Sequence, residues 1–136
     1  MKEYVLDANA LIRFFRRAPG SLDVRSIIQQ AKEGRAHLAT SAANLCEAFY
    51  VLARYFGAEH ARQCIREINN AMTVAVIDDA VALDAAMLKL HYKLGLADCF
   101  AAELAMRTKA TLVTADPEFK RLGKQLKILA LPHHAA

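Results

Sequence analysis

Several features that would assign this chain to a common class are missing from its sequence. No apolar run approaches the roughly 18 residues that a membrane-spanning helix needs, and no internal repeat, low-complexity tract or interdomain linker is visible. Residues 1–7 contain charged side chains and then a short apolar stretch, which is not the pattern of a secretory signal peptide. We therefore expect a cytoplasmic protein with no membrane partner.

Cysteine is scarce, and its spacing excludes the usual cysteine motifs. The three cysteines, Cys46, Cys64 and Cys99, are odd in number and form no CxxC pair. Such a set gives no support to a disulfide framework. We interpret all three as reduced, buried thiols in a reducing compartment.

The composition predicts one compact domain. The chain has 136 residues, of which 55% are hydrophobic, so a substantial core can form and a disordered protein is excluded. We expect a single domain over residues 1–131 and a frayed tail over residues 132–136. The net charge of +4 permits a polyanionic partner without requiring one.

Short apolar strands alternate with helical segments along the chain. This order predicts an α/β/α sandwich, in which helices cover both faces of a central, mostly parallel sheet of short strands. The predicted strands cover residues 4–6, 36–40, 73–77, 111–114 and 127–131. The predicted helical segments cover residues 10–17, 22–33, 41–56, 58–71, 79–94 and 99–106, and Gly95 is expected to stop the fifth of them.

Four acidic residues are predicted to meet at one edge of the sheet. Asp7 follows the first strand, and Asp116 closes the strand that begins at Thr111. Asp98 is expected to cap the helix that leads into that strand, and Glu47 lies in the second turn of a helix that starts at a strand end. Ligands of parallel α/β sheets bind beyond these carboxyl ends.

Four carboxylates in one pocket repel one another unless cations or protons compensate them. Oxygen ligands of this kind suit Mg²⁺ or Mn²⁺. One or two such ions can bind phosphate oxygens, activate water and stabilise a leaving oxygen, so phosphodiester hydrolysis is our hypothesis. Asp7 and Asp98 would be the inner ligands. Each acid also has a purely structural interpretation, as a helix cap, a turn residue or part of a solvated face.

The residues around these acids carry a family resemblance. Asp7-Ala-Asn9, Asn44-Leu-Cys-Glu47-Ala-Phe, Leu96-Ala-Asp98-Cys-Phe-Ala-Ala and Leu112-Val-Thr-Ala-Asp116-Pro-Glu-Phe resemble the motifs of PIN-domain nucleases, especially the small VapC-type toxins. The resemblance implies a PIN-like fold and a Mg²⁺- or Mn²⁺-dependent endoribonuclease. It also implies inhibition by a cognate antitoxin and a homodimer. Asp7, Glu47, Asp98 and Asp116 would bind metal and catalyse, with Asn9 and Thr114 as polar supports.

Basic and aromatic residues near the acids suggest further surfaces. The side chains that could hold RNA phosphates are Arg13, Arg16, Arg17, Lys120, Arg121 and Lys124, although they would equally fit a solvated face. Phe14 and Phe15 fit the core or a groove for an antitoxin helix. The helices over residues 41–71, with Tyr50, Tyr55 and Phe56, could form a dimer or antitoxin interface. Glu118 could reach the acids, although we expect it to face solvent.

Two other functions remain compatible with an acidic pocket. A phosphoryl-acceptor domain of the receiver type also gathers acids at strand ends, but it needs an aspartate after a middle strand and a lysine after a late one. Neither stands at the end of the strands over residues 36–40 and 111–114. The other alternative is a non-catalytic RNA-binding module. Loss of cleavage with a retained fold, on substitution of Asp7 or Asp98, separates a nuclease from both.

Overall fold

A five-stranded sheet forms the centre of the computed structural model, which describes residues 1–132. Its strands are β1 (Lys2–Leu6), β2 (Ala36–Ser41), β3 (Thr73–Ala75), β4 (Thr111–Thr114) and β5 (Lys127–Ala130). They lie in the order β3-β2-β1-β4-β5, and every neighbouring pair is parallel. The predicted sheet is thus confirmed. Of the predicted tail, residues 133–136 lie outside the described residues.

Helices connect the strands. They are α1 (Ala8–Arg16), α2 (Ser21–Lys32), α3 (Ala42–Phe56), α4 (Ala58–Asn69), α5 (Asp79–Tyr92) and α6 (Leu96–Thr108), followed by a 3₁₀ segment over Pro117–Gln125. The side chains of Asp7 and Ser41 accept hydrogen bonds from the first turns of α1 and α3, so these helices start directly at the strand ends. None of the helices within residues 1–132 is both long and apolar enough to cross a membrane.

The helices form a layer on each face of the sheet. Successive strand residues point to opposite faces, and β1 follows this rule. Leu6 packs into a cluster with Leu11 of α1 and Val24 of α2, whereas Val5 packs into a second cluster with Leu104 of α6. These two buried clusters confirm the predicted three-layer α/β/α sandwich.

The junction between α5 and α6 differs from the prediction. The helix α5 ends at Tyr92, where Lys93 adopts a left-handed conformation with φ 56° and its N–H donates to the Lys89 carbonyl. Gly95, predicted to stop this helix, is instead the N-terminal cap of α6. Asp98 therefore lies inside the first turn of α6 and is not its cap. The 3₁₀ segment after β4 was not predicted.

Several large apolar side chains of α5 are exposed. Leu83, Met87 and Leu90 line one side of α5 and are 69%, 49% and 67% exposed. Cys64 and Cys99 are buried as predicted, but Cys46 is exposed. The covered side of α5 carries Ala85 and half-buried Leu88, which leaves Leu83, Met87 and Leu90 facing outward.

Candidate active site

The sheet places its candidate site where the strand order reverses. From β1 the chain builds β2 and β3 on one side, and then returns to build β4 and β5 on the other. A crevice opens at such a point beyond the carboxyl ends of the strands. Here it is a hollow of about 450 Å³. We call it the acidic hollow, because it is lined by Asp7, Glu47, Asp98, Asp116 and Glu118.

Asp7 is the most deeply buried acid of the hollow, with 2% of its surface exposed. One carboxylate oxygen accepts from the Ala10 N–H at 2.8 Å, and the other accepts from the Thr114 hydroxyl. Burial raises the pKa of Asp7 from 3.8 to about 6, although both hydrogen bonds oppose the rise. A positive charge in the hollow would stabilise its ionised form.

Thr114 connects two of the acids. Its hydroxyl donates to Asp7, and its oxygen accepts from the backbone N–H of Asp116 at 3.0 Å. Asp116 in turn caps the 3₁₀ segment, since its Oδ1 accepts from the Glu118 N–H at 2.9 Å. The end of β4 is thereby fixed to the end of β1.

Asp98 faces the other acids from the first turn of α6. Burial raises the pKa of Asp98 from 3.8 to about 7, and the charges of Asp116, Asp7, Glu47 and Glu118 add to the rise. Four neighbouring carboxylates therefore act on this one group. Each of these negative charges disfavours the ionised form of Asp98.

The three carboxylates that lie closest together differ from the predicted set. One oxygen each of Asp98, Asp116 and Glu118 lies within 4.8 Å of the other two. Glu118, which was expected to face solvent, is exposed but belongs to this group. Its position two residues after a capping aspartate could have shown this, because a tight turn brings residues at that spacing to one side.

The other predicted site residues, Glu47, Asn9 and Thr114, lie in or beside the hollow. Glu47 and Asn9 line it while both remain exposed. Thr114 is buried, as its bond to Asp7 requires. The structure thus brings Asp7, Glu47, Asp98 and Asp116 to one place, with Asn9 and Thr114 beside them.

The predicted phosphate-binding residues are placed less uniformly. Arg13 lines the hollow but is buried, and its guanidinium donates to the carbonyls of Pro19 and Pro132. This differs from the exposed basic face suggested for it, since the Arg13 guanidinium is engaged by backbone carbonyls. Arg121 donates to the carbonyls of Tyr92 and Lys93. The exposed cations of the set are Arg16, Arg17, Lys120, Arg121 and Lys124.

The donor set of the hollow fits a hard divalent cation. Its lining offers carboxylate oxygens from five residues, and no cysteine or histidine of residues 1–132 contributes to it. Oxygen-only sites of this kind suit Mg²⁺ and Mn²⁺, whereas zinc sites use nitrogen or sulfur ligands. Raised carboxyl pKa values are also expected where a cation normally compensates clustered negative charge.

Fold and hollow together define an α/β protein with a cluster of acids at the switch point of a parallel sheet. A family model described as the PIN domain matches residues 4–125. The chain therefore belongs to the PIN domain family, as its motifs suggested. No curated protein matches the sequence.

Solved structures of similar fold come from several bacteria. VapBC2 of Rickettsia felis, bound to a promoter DNA fragment, is 20% identical with a TM-score of 0.74, over 95% of this chain and 98% of that one. DNA-bound VapBC of Salmonella typhimurium is 18% identical with a TM-score of 0.73, over 96% and 98%. VapC20 of Mycobacterium tuberculosis, described as a sarcin-ricin loop cleaving toxin, is 10% identical with a TM-score of 0.70, over 98% and 99%. At these identities the similarity concerns the fold.

Proposed function

We propose that this protein is a Mg²⁺- or Mn²⁺-dependent endoribonuclease, a toxin of the VapC type that a cognate antitoxin inhibits. The observation that carries the proposal is the acidic hollow, in which five carboxylates converge at the switch point of the sheet. A hollow so rich in negative charge is poorly suited to a ribonucleic acid unless a cation is present. Metal-assisted hydrolysis accounts for the convergence of the carboxylates and for the binding of RNA beside them.

Asp98, Asp116 and Glu118 would hold the cation, with Asp7 and Glu47 completing its surroundings. When bound, the cation would neutralise the phosphate, lower the pKa of an attacking water and stabilise the leaving oxygen. Thr114 keeps the Asp7 carboxylate in place by its hydrogen bond. Asp116 is held by its capping bond to the Glu118 N–H, so its second oxygen stays available.

Hydrolysis by a metal-activated water does not need a 2′-hydroxyl, so the chemistry alone does not distinguish RNA from DNA. We propose RNA as the substrate on other grounds. Its support is the family resemblance and the description of VapC20 as a toxin that cleaves the sarcin-ricin loop. The basic side chains around the hollow would hold flanking phosphates. Arg16, Lys120 and Lys124 are exposed and remain the candidates for this role.

An antitoxin is proposed as the regulatory partner, because the structures from Rickettsia felis and Salmonella typhimurium are described as VapBC assemblies. A groove of about 600 Å³ between α1, α2 and α4 offers it a site. Half-buried Phe14 and Phe15 and exposed Leu22 supply apolar lining, and Arg17 and Arg25 supply positive charge. An amphipathic helix with acidic residues would complement this surface.

A homodimer belongs to the same proposal. The apolar side of α5 that carries Leu83, Met87 and Leu90 is exposed, and a second copy of the chain would cover it. The aromatic residues expected at an interface on α3 have other contacts. Arg16 lies 3.7 Å above the Tyr55 ring, and Arg54 lies 5.7 Å from the Tyr50 ring. We therefore place the dimer interface on α5.

The test is cleavage of structured RNA by the purified protein with Mg²⁺, Mn²⁺ or a chelator. We expect cleavage with either ion, none with the chelator, and a loss of at least 100-fold in Asp98→Asn. Asp84→Asn, an exposed aspartate on α5, is the matched control and should cleave normally. RNA binding without cleavage by the wild-type protein would favour the binding module instead, and cleavage in the presence of chelator would exclude the metal mechanism.

A further inference from the structure

The amide side chain of Asn44 joins two helices that carry acids of the hollow. Asn44 lies in the first turn of α3 and is fully buried. Its Nδ2 donates to the carbonyl of Ala97, in the first turn of α6, at 3.1 Å. The two residues are 53 positions apart, so this bond is a tertiary contact between helices.

Each end of this contact lies beside an acid. On α3, Glu47 follows Asn44 by three positions, which places both residues on one side of the helix. On α6, Asp98 is the residue after Ala97. The bond therefore constrains the distance between the backbone that carries Glu47 and the backbone that carries Asp98.

Asn44 contributes less to the stability of the folded protein than an apolar side chain at this position would. Its Oδ1 is buried and accepts no hydrogen bond from any residue within 1–132. A buried acceptor in this condition destabilises a folded protein, whereas an apolar side chain of similar shape does not. Leucine has the same branched shape with larger methyl ends, and it would lie on an otherwise apolar side of α3, where Ala48 and Leu52 are also buried. Stability alone therefore does not account for asparagine here.

We propose that Asn44 is a positioning residue for the acidic hollow. Its amide donor holds the first turn of α6 against α3, and this sets Asp98 at the spacing from Glu47 that cation binding requires. The inference rests on the proposed metal-dependent nuclease function. Polar partners behind metal ligands commonly change metal affinity or activity by about 10- to 100-fold when they are removed.

The experiment compares wild-type protein with Asn44→Leu and Asn44→Ala. The control is Asn69→Leu, the same substitution at an exposed position of α4. Four quantities are measured: Mn²⁺ affinity by calorimetry, kcat and KM on RNA, the thermal midpoint in chelator, and amide hydrogen exchange over residues 96–101. Alanine leaves no branched side chain to misfit, so the two variants together distinguish lost hydrogen bonding from poor packing.

We expect both Asn44 variants to lose at least tenfold in Mn²⁺ affinity and in kcat, with KM within twofold of wild type. Exchange over residues 96–101 should rise in both Asn44 variants and stay at the wild-type rate in Asn69→Leu. Mn²⁺ affinity and kcat within twofold of wild type in both variants would overturn the proposal. Losses of Mn²⁺ affinity and kcat that are in proportion to a lowered thermal midpoint would also overturn it, since they would indicate a role in stability alone.

Hydrogen exchange separates this inference from the proposed function. If the wild-type protein neither binds Mn²⁺ nor cleaves RNA, the nuclease proposal fails, and the role of Asn44 in metal binding fails with it. Faster exchange at the start of α6 in both variants would still show that Asn44 holds that turn. Unchanged exchange in variants of a protein that does bind Mn²⁺ would overturn the positioning claim alone.

Discussion

The hydroxyl of Thr114 donates a hydrogen bond to the carboxylate of Asp7, which lies 107 positions earlier in the chain. The two residues belong to the ends of neighbouring parallel strands, β4 and β1. This bond opposes the rise that burial causes in the pKa of Asp7. It therefore keeps the buried Asp7 easier to ionise, as its proposed place beside a cation requires.

Thr114→Val should weaken cation binding in a pH-dependent way. Valine has nearly the same shape but no hydroxyl, so the pKa of Asp7 should rise further when the opposing hydrogen bond is lost. The Asp116 N–H also loses its acceptor, a change that does not depend on pH. We expect Mn²⁺ affinity to fall about three- to tenfold at pH 6.5 and to recover at pH 8.5, where Asp7 is ionised in either protein. Calorimetric titration at the two pH values measures this. Thr111→Val, on the same strand, is the control, and equal losses at both pH values would contradict the account.

The stability of the metal-free protein should depend on pH through the same acids. Both pKa values are raised on folding, Asp7 to about 6 and Asp98 to about 7 from 3.8. The folded protein thus holds protons that the unfolded chain has already released. The resulting stabilisation is complete below pH 3.8 and is lost as the pH rises through about 6 and 7.

Asp98→Asn removes one of these titrations. In chelator at pH 8 we expect it to be more stable than wild type by on the order of 1–2 kcal/mol, a modest value because Asp98 is partly accessible to solvent. At pH 4 the difference should nearly vanish. Thermal unfolding of wild type, Asp98→Asn and the control Asp84→Asn over this pH range tests the point. Parallel curves for wild type and Asp98→Asn would show that Asp98 is not perturbed.

Glu118→Gln should weaken the cation site with little effect on folding. Glu118 contributes one of the three closest carboxylates, and its ion pair with Arg121 is exposed and 3.5 Å long, so its loss should cost less than about 1 kcal/mol. We expect a fall of about tenfold in Mn²⁺ affinity. Glu59→Gln, at an exposed position in the first turn of α4, is the control. Unchanged Mn²⁺ affinity would show that Glu118 belongs to the solvated surface and does not hold the cation.

Much of the fold could be predicted because its signals are local. The strands are short apolar runs, and α3 begins directly after its cap Ser41 and ends before Gly57. The junction of α5 and α6 could not be read in this way. Lys93 takes the left-handed conformation that glycine usually takes, while the nearby Gly95 adopts an ordinary extended conformation with φ −60°. Tertiary contacts, including the bonds that the Arg121 guanidinium donates to the Tyr92 and Lys93 carbonyls, stabilise this turn.

The convergence of the acids followed from topology, whereas their exact grouping did not. Parallel strands bring Asp7 and Asp116 to one edge wherever the helices lie. The membership of Glu118 depends on the 3₁₀ turn after Asp116, and the engagement of Arg13 depends on a carbonyl at Pro132, 119 positions away. The Arg13 contact joins residues far apart in the chain and leaves no periodic signal in a sequence, whereas the place of Glu118 depends on a local turn.

Leu22→Lys should separate inhibition from catalysis. Leu22 is 75% exposed and lines the groove proposed for the antitoxin, away from the acidic hollow. A lysine there should prevent an apolar helix from docking, while RNA cleavage by the protein alone stays within twofold of wild type. Cleavage assays with increasing antitoxin measure this. Full inhibition of Leu22→Lys at the wild-type antitoxin concentration would place the antitoxin elsewhere.

Leu90→Lys should dissolve the proposed homodimer. Leu90 lies on the exposed apolar side of α5, where a second copy would have to bury the new charge. Sedimentation velocity should show a dimer for wild type and for Leu22→Lys, and a monomer for Leu90→Lys. The two lysine variants are thus controls for each other. A Leu90→Lys protein that sediments as the wild type does would exclude α5 from the interface.

The location of a bound cation tests the central claim most directly. Crystals of the protein soaked in Mn²⁺ can be measured near the manganese absorption edge, where anomalous scattering identifies the ion by position. The account predicts a peak in the acidic hollow, contacted by Asp98, Asp116 and Glu118 and absent from Asp98→Asn crystals. A manganese peak at another surface, with the hollow empty at saturating Mn²⁺, would contradict it.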